Sequence, residues 1–361
     1  MRGSLAHAAT PMEADLVVLS LAAALTLGGP PQLPPAPELG PPAVLFRSHD
    51  PIVLRIEADF DGLKGDRDDD EEERDGTLVI LSADGREEAF PLEIRTRGNF
   101  RLRRRTCPFP PLRLDVPRTR MDGTAFEGQD KLKLVTHCRN RADYQDKLLR
   151  EYVAYRIYSI LTPLSFHARL ARITYVDTSG GDDPVERWAV LLESEEALAE
   201  RIGGTLLEAP DDAIHPSRIL DPHAGRVTLF QYMIGNTDFS LYGPHNVANV
   251  ETDYALVVPV PYDFDWTGLV DAPYAEPDPS LGLRSVRQRL FRGLCRPSTR
   301  YSSLYEDFLE RRPEITAMVE GLTALSDDAR EDVLEYLDDF WETVSDPDRA
   351  LRSIERRCRT V

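Results

Sequence analysis

Residues 130–161, DKLKLVTHCRNRADYQDKLLREYVAYRIYSIL, contain both structural periods that decide the fold. Apolar and polar residues alternate across residues 130–137, which predicts a strand with Lys131 and Lys133 on the same face. From Asp143 onward the apolar residues recur at helical spacing, which predicts a helix with one buried stripe. A strand that leads directly into a buried helix indicates a domain with both kinds of element around one core.

The chain on either side of this stretch divides unevenly between strands and helices. Residues 50–135 contain mostly alternating or β-branched runs, which predict strands, and two more strands are expected between residues 168 and 194. Helical spacing returns at residues 227–234 and prevails from about residue 302 to 358. The order predicts an α+β fold with a leader and Pro-rich linker, a strand-rich part and a mainly helical part, at 1–42, 43–200 and 201–361.

The charge balance excludes some classes of partner. The chain of 361 residues has 43 Lys and Arg against 62 Asp and Glu, a formal net charge of −19. A field of that sign opposes general binding to nucleic acid or to an anionic membrane surface. Any phosphate site therefore needs a local cluster of cations. Chemistry that requires a lysine has only four candidates, which are Lys64, Lys131, Lys133 and Lys147.

The N-terminal segment resembles a leader for export. Residues 16–27, LVVLSLAAALTL, form an apolar run of the length of a signal-peptide core, and a Pro-rich stretch follows at residues 30–42. We expect an exported protein without an integral membrane span in the mature chain. The alternative is a buried helix at the start of a cytoplasmic domain.

The four cysteines also depend on the compartment. They include no C-x-x-C pair, so a zinc site is not expected. Cys107 and Cys138 flank segments that are predicted to be neighbouring strands. In an exported protein these two residues would form a disulfide, whereas in a cytoplasmic protein all four would remain reduced thiols.

The segment with the most chemical information is residues 235–266. Asp238 and Asn246 lie in a polar loop, and Asp263 and Asp265 follow a hydrophobic strand. Phosphoryl transfer needs one carboxylate to orient the attacking hydroxyl, and hard oxygen ligands to hold Mg²⁺ against the phosphates. The pattern therefore predicts a magnesium-dependent phosphoryl-transfer site. The alternative is ordinary turn and helix-capping chemistry, in which Asn and Asp are common.

A cationic cluster provides the phosphate-binding side chains that such a site requires. Residues 95–105, RTRGNFRLRRR, contain six arginines, among them Arg97. Arginines around a Gly-Asn turn favour an anion site, and Lys133 or Lys131 would hold phosphates from the neighbouring strand. The alternatives are a solvated basic hairpin and exposed strand lysines.

These segments together resemble the spore-coat protein H (CotH) kinase family. The resemblance covers residues 95–266 and rests on RGNFRLRRRTCPFPPLRLDV, on KLKLVTHCRNRADYQDKLLREYVAYRIYSIL, on the loop with Asp238 and His245-Asn246, and on PVPYDFDW. It implies a bilobal, protein-kinase-like fold with a strand-rich N-lobe and a mainly helical C-lobe. It also implies transfer of phosphate from ATP to a protein hydroxyl with Mg²⁺ or Mn²⁺.

The resemblance assigns a role to each candidate residue. Asp238 would be the acidic residue of the catalytic loop, and Asn246, Asp263 and Asp265 would be the metal ligands. Phosphates would contact Arg97 and Lys133, with Lys131 as the alternative lysine, and Glu151 would be the helix acid that pairs with the lysine. The segment ERWAVLLES, residues 186–194, would be the hinge that meets adenine.

Two departures from the family pattern support a rival hypothesis. Glu151 stands where the family commonly has Asn, and Phe239 stands in the catalytic loop where kinase-like loops often have a basic residue. The rival is a non-catalytic pseudokinase or surface ligand-binding module. The acceptor and the oligomeric state are not predictable from the sequence.

Overall fold

We describe a computed structural model over residues 39–67, 72–207, 213–221, 223–243, 245–295 and 301–359. The apolar run at residues 16–27, on which the leader prediction depends, lies outside these residues. Within them, no helix combines the length and the apolar character needed to cross a membrane.

The first architectural feature is a closed barrel of seven strands. Its order is β1-β2-β3-β4-β5-β7-β6, and a parallel pairing of β6 with β1 closes it, while the other neighbours are antiparallel. The strands are β1 (Ile52–Ala58), β2 (Arg74–Leu81), β3 (Glu87–Thr96), β4 (Leu112–Asp115), β5 (Lys131–Val135), β6 (Ala168–Asp177) and β7 (Val185–Leu192).

The alternation in the sequence explains which face of each strand lines the barrel. In β1 and β4 every second residue is apolar and buried, because successive side chains of a strand point to opposite faces, whereas β2 and β7 contain runs of consecutive buried residues. The interior is filled by Leu54, Ile56, Leu78, Ile80, Leu92, Ile94, Leu112, Leu114, Leu132, Leu134, Ile173 and Leu191. The charged residues between them, Lys133 among them, therefore lie on the outer face.

Helices and a second sheet make up the remainder. Helix α1 (Phe60–Gly65) follows β1, and the long helix α2 (Ala142–Leu161) lies against β6 and β7. A three-stranded sheet has the order β10-β9-β8. The later elements are α3 (Glu195–Ile202), β8 (Gly204–Leu206), α4 (His223–Met233), β9 (Val247–Thr252), β10 (Val257–Pro261), α5 (Tyr301–Glu320), α6 (Asp327–Ser345) and α7 (Pro347–Ser353).

Helix α2 lies at the centre of the larger hydrophobic core. Its buried residues contact β6 and β7 on the outside of the barrel and helix α5, and two of its tyrosines, Tyr155 and Tyr158, pack on aromatic rings of the second half. The same helix thus connects the barrel surface to the residues around Asp263.

The predicted bilobal, protein-kinase-like α+β fold is wrong. The strand-rich half is a closed mixed barrel, and the later half has a sheet of its own beside its helices. The barrel strands, α2, α4, β10 and the C-terminal helices were predicted from alternation and helical spacing, which are local, whereas α1, α3, β8 and β9 were not predicted. The error concerned assembly, because closure depends on the long-range pairing of Ile52 with Ala171.

All four cysteines form disulfides. Cys107 is bonded to Cys138, as predicted for an oxidising compartment, and Cys295 is bonded to Cys358, which was not predicted. The first bond connects the arginine-rich turn to the end of β5.

Candidate functional site

The β9–β10 hairpin brings the two predicted acidic groups to the same end. Val247 pairs with Pro261, and the amide of Tyr262 donates a hydrogen bond to the carbonyl oxygen of Asn246 at 3.1 Å. The residues just before β9 and just after β10 therefore lie side by side. Asn246 and Asp263 are consequently neighbours, although 17 positions separate them in the chain.

Asp238 is held in the loop before β9 by hydrogen bonds at its carboxylate and its backbone. Its Oδ1 atom lies 2.6 Å from His245 Nε2, and its Oδ2 atom accepts from Asn246 Nδ2 at 3.0 Å. The amide of Asp238 donates to Oδ1 of the buried Asn236 at 2.8 Å. The side chain of Asp238 remains 38% exposed, so the carboxylate is both oriented and accessible.

The two residues that meet across the open end of the hairpin have left-handed backbones. Asn246 has a φ of 55° and Asp263 a φ of 59°. L-residues adopt this region at a cost, which Asn and Asp tolerate best. Backbone conformations of this kind cluster at functional sites, where the surrounding structure holds them in place.

A buried arginine lies at the centre of the acidic residues. The Arg101 guanidinium is 2.5 Å from Asp263 Oδ1, 3.1 Å from Glu151 Oε2 and 3.4 Å from Asp265 Oδ2. Its side chain is only 10% exposed. The turn that carries it packs through Phe100 on Trp266, next to the acids. This arginine therefore neutralises three carboxylates from two different parts of the chain.

Burial and charge act in opposite directions on these groups. Burial alone would lower the pKa of Arg101, but the three carboxylates outweigh it and raise that pKa well above its ordinary value. Burial raises the pKa of Asp265 and of Glu151. Burial would also raise the pKa of Asp263, yet Arg101, Arg97 and Lys133 together lower it. Asp263 is thus the carboxylate that the cations keep ionised.

Lys133 reaches the same cavity from β5. It lies with Arg97, Glu151, Tyr262 and Asp263 along the cavity wall, and its ammonium is 4.8 Å from the centre of the Tyr262 ring. Burial, with a contribution from Arg97, lowers its pKa. Lys133 is therefore the lysine that faces the acid at the strand end.

The ion pair expected between this lysine and helix α2 is absent from the described residues. Lys133 pairs with Glu195 at the start of α3, and Glu151 pairs with Arg101 instead. Glu195 was not predicted, although its place in the first turn of a helix directly after β7 was a usable signal.

Further positively charged side chains lie next to Lys133 on the outer face of the barrel. Arg113 of β4 pairs in register with Lys133 on one side and with Arg95 on the other. Arg97 follows at the end of β3 and lines the site cavity. The arginine-rich segment thus contributes to one basic strip across three strands rather than to a free hairpin. Lys131, by contrast, lies exposed opposite Asp115, outside the cavity.

Asp265 and the predicted hinge segment have structural partners of their own. Asp265 is buried and accepts a hydrogen bond from the Tyr274 hydroxyl at 2.9 Å, and the same carboxylate contacts Arg101.

Within the predicted hinge, residues 186–194, positions 190–192 are paired with β5 on one side and with β6 on the other. The amide of Glu193 donates to the carbonyl of His167. The adenine-binding role of this segment stays a prediction.

The oxygen atoms near the end of the hairpin have the chemistry that a divalent magnesium ion prefers. Asp263 is 37% exposed and ionised, and Asn246 uses its amide nitrogen on Asp238, which leaves its Oδ1 atom for another partner. Glu151 Oε1 is buried without a hydrogen-bond partner in the described chain. By their chemistry, Asp263 and Asn246 are the residues here that could hold a hard cation.

No protein-family model matches this chain, and no curated protein matches it either. The likeness to the CotH kinase family therefore rests on the motifs quoted above.

Proposed function

We propose that this protein transfers the γ-phosphoryl group of ATP to a protein hydroxyl in a reaction that depends on Mg²⁺ or Mn²⁺. The proposal rests on the site and not on the overall fold. One observation carries it: the β9–β10 hairpin places Asn246, which is hydrogen-bonded to Asp238, next to the strand end that carries Asp263, and three cations face Asp263. An oriented carboxylate, oxygen ligands and converging cations are the parts that phosphoryl transfer requires.

Asp238 would orient the attacking hydroxyl and accept its proton. Its carboxylate is exposed, and the contacts with His245 and Asn246 fix its direction. Such a base must reach its substrate within hydrogen-bonding distance and typically contributes 10²–10⁴-fold to the rate. The position of Asp238 at the surface suits an acceptor as large as a protein.

The cations would hold the transferred phosphates. Lys133 and Arg97 line the cavity beside Asp263, and their charges oppose the charge that develops on the phosphoryl oxygens. Asp263 and Asn246 would hold a divalent cation, which would supply positive charge to neutralise the phosphates. Asp263 is kept ionised by the surrounding cations, which is the state that this role needs.

We also propose that the protein acts outside the cytoplasm. The two disulfides, which use all four cysteines, support an oxidising compartment. The acceptor would accordingly be an exported or envelope protein.

A specific observation favours a second candidate, a non-catalytic ligand-binding protein. The cavity between Arg97, Lys133 and Asp263 has a free volume of only about 10 Å³, which is less than a nucleotide needs. Side chains must therefore move before ATP can enter. A protein that had lost this movement would keep the residues without the activity.

Replacement of Asp263 tests the proposal. Asp263→Ala should abolish Mg²⁺-dependent turnover of γ-labelled ATP and leave the circular-dichroism spectrum unchanged. Asp253→Ala is the matched control, since Asp253 is exposed in the turn at the opposite end of the same hairpin. Unchanged turnover in folded Asp263→Ala protein would refute the assignment. A wild-type protein whose thermal midpoint does not rise with millimolar ATP and Mg²⁺ would favour the second candidate.

A further inference from the structure

The guanidinium of Arg101 lies among three carboxylates, at the place where the proposed divalent cation would also bind. This guanidinium touches Asp263 Oδ1 at 2.5 Å, and the other two carboxylates around it come from helix α2 and from the residues after β10. A cation bound at Oδ1 would have to share that oxygen with the guanidinium or replace it, and a cation bound at the other oxygen of the same carboxylate would still lie within a few ångströms of the guanidinium.

The charges in the cluster make simultaneous occupation costly. Asp265 and Glu151 are almost fully buried, and Arg101 is the cation that contacts both of them as well as Asp263. A divalent ion placed next to Arg101 adds two positive charges within a few ångströms. In a poorly solvated site the repulsion is large, and it falls only if the guanidinium moves or an anion is added.

The backbone around Arg101 restricts any movement to the side chain. Arg67 donates hydrogen bonds to the carbonyls of Leu102 at 2.8 Å and Cys107 at 2.9 Å, and Leu102 is buried. The Cys107–Cys138 disulfide fixes the far end of the same turn. A movement of Arg101 away from Asp263 would therefore be a rotation of its side chain, with the turn in place.

We propose that Arg101 is a built-in counter-cation that competes with the divalent metal for Asp263 and that ATP relieves the competition. This inference rests on the proposed function. The triphosphate provides a second anionic partner beside Asp263, toward which the guanidinium turns, and Asp263 then becomes available to the metal. Arg101 thereby acts as a positioning residue that makes tight metal binding conditional on nucleotide.

The competition predicts opposite effects on two ligands. In the full-length Arg101→Met protein, Mn²⁺ alone should bind at least tenfold more tightly than in wild type, because the competing charge is gone. The metal-free triphosphate of a non-hydrolysable ATP analogue should bind at least tenfold more weakly, because one phosphate partner is lost. Electron paramagnetic resonance of free Mn²⁺ and calorimetry with the analogue measure the two affinities separately.

The matched control is Arg104→Met, because Arg104 is an exposed arginine of the same turn. It should leave both affinities within about twofold of wild type. A purely structural role of Arg101 would weaken both ligands together, and that result would overturn the inference. The wild-type protein should also bind Mn²⁺ at least tenfold more tightly when the analogue is present.

Folding of the variants is measured independently. Arg101→Met leaves two buried acids without their cationic partner, so Arg101→Met/Glu151→Gln replaces one of these acids with an amide and serves if the single variant does not fold. The Mn²⁺ affinity of the double variant should again exceed that of Glu151→Gln alone, and equal affinities would contradict the inference.

If wild type binds neither Mn²⁺ nor the analogue, the proposed function fails as well. If it binds both and Arg101→Met weakens both, only this inference fails.

Discussion

The backbone amide of Asp263 donates a hydrogen bond to the hydroxyl of Tyr155 at 2.9 Å. Tyr155 lies one helical turn after Glu151 on α2, so one helix holds both the acid at the strand end and the arginine beside it. The left-handed backbone at Asp263 has its amide partner on this helix.

Removing the Tyr155 hydroxyl should therefore affect binding more than folding. Tyr155→Phe leaves the Asp263 amide without its partner, which costs about 1–3 kcal/mol locally. We expect Mn²⁺ affinity in the presence of an ATP analogue to fall about tenfold. Tyr158→Phe is the control, because that hydroxyl is buried on the same helix without a hydrogen-bond partner in the described structure. Equal effects of the two substitutions would show that the Tyr155–Asp263 bond has no role in binding.

Asp238→Asn should separate catalysis from binding. Asparagine keeps the shape of the side chain but cannot accept a proton from the acceptor hydroxyl. The turnover number should fall by about 10²–10⁴-fold, while affinity for the nucleotide stays within about twofold of wild type. Single-turnover kinetics with γ-labelled ATP and equilibrium binding of the analogue measure the two quantities. A variant with full turnover would exclude Asp238 as the base.

Gly235 sets the entry into the Asp238 loop and should not tolerate a side chain. It has a φ of +67°, and an added Cβ would overlap the Tyr336 hydroxyl of α6. Gly235→Ala should lower the free energy of unfolding by roughly 2–5 kcal/mol, through backbone strain and overlap combined.

Gly282→Ala is the matched control for Gly235→Ala, since Gly282 also has a φ of +67° but faces open space. It should cost about 1–2 kcal/mol from backbone strain alone. Urea unfolding measures both values. Equal losses would show that the approach of Tyr336 to Gly235 is unimportant.

Buried histidines should make the protein less stable in acid. Burial, helped by Arg187, lowers the pKa of His137 to about 3, while the unfolded chain titrates near 6.5. The unfolded state therefore binds the proton first, so stability is complete above pH 6.5 and falls as the pH drops toward 3. The loss from His137 amounts to about 3 kcal/mol at pH 4.5.

His137→Phe isolates this contribution. The imidazole packs on Phe109, and its Nδ1 atom has no hydrogen-bond partner in the described part of the chain, so phenylalanine loses little. Between pH 6.5 and 4, the free energy of unfolding of the variant should depend less on pH than that of wild type. The difference in slope should be that of about one proton, roughly 1.4 kcal/mol per pH unit. The exposed His215 provides the control substitution, His215→Gln. An unchanged slope in His137→Phe would contradict the buried, neutral state of His137.

Local patterns predicted the barrel strands and the longer helices, because alternation and helical spacing record which side chains a strand or helix buries; the short elements α1, α3 and β8 and the strand β9 were not predicted. Strand β5 and helix α2 were expected from residues 130–161 and are present in those positions. The barrel was not predictable from such patterns. Its closure requires Ile52 and Ala171 to pair in parallel, and neither strand has a local feature that names its neighbour.

Some residues of the candidate site were likewise predictable from local sequence, and others were not. Asn246 and Asp263 were expected to act together, and the β9–β10 hairpin brings them together because only a few residues separate its strands. Arg101 could not be distinguished from the other five arginines of its segment, since direction in an irregular turn leaves no periodic signal. The only indication in the sequence was that Arg101 stands between two apolar residues, Phe100 and Leu102. In the structure Leu102 is buried and Phe100 is half-buried.

The pairing that closes the barrel also constrains how the chain is made. β1 and β6 are about 120 residues apart, so during synthesis β1 has only β2 as a neighbour until residue 177 has emerged. At ribosomal rates of about 5–20 residues per second, that interval lasts roughly 6–24 seconds. For that time the second edge of β1 offers unpaired backbone groups to other chains. A nascent chain of this protein thus needs protection from aggregation during a defined period of its synthesis. That period ends when β6 has been synthesised and can pair with β1.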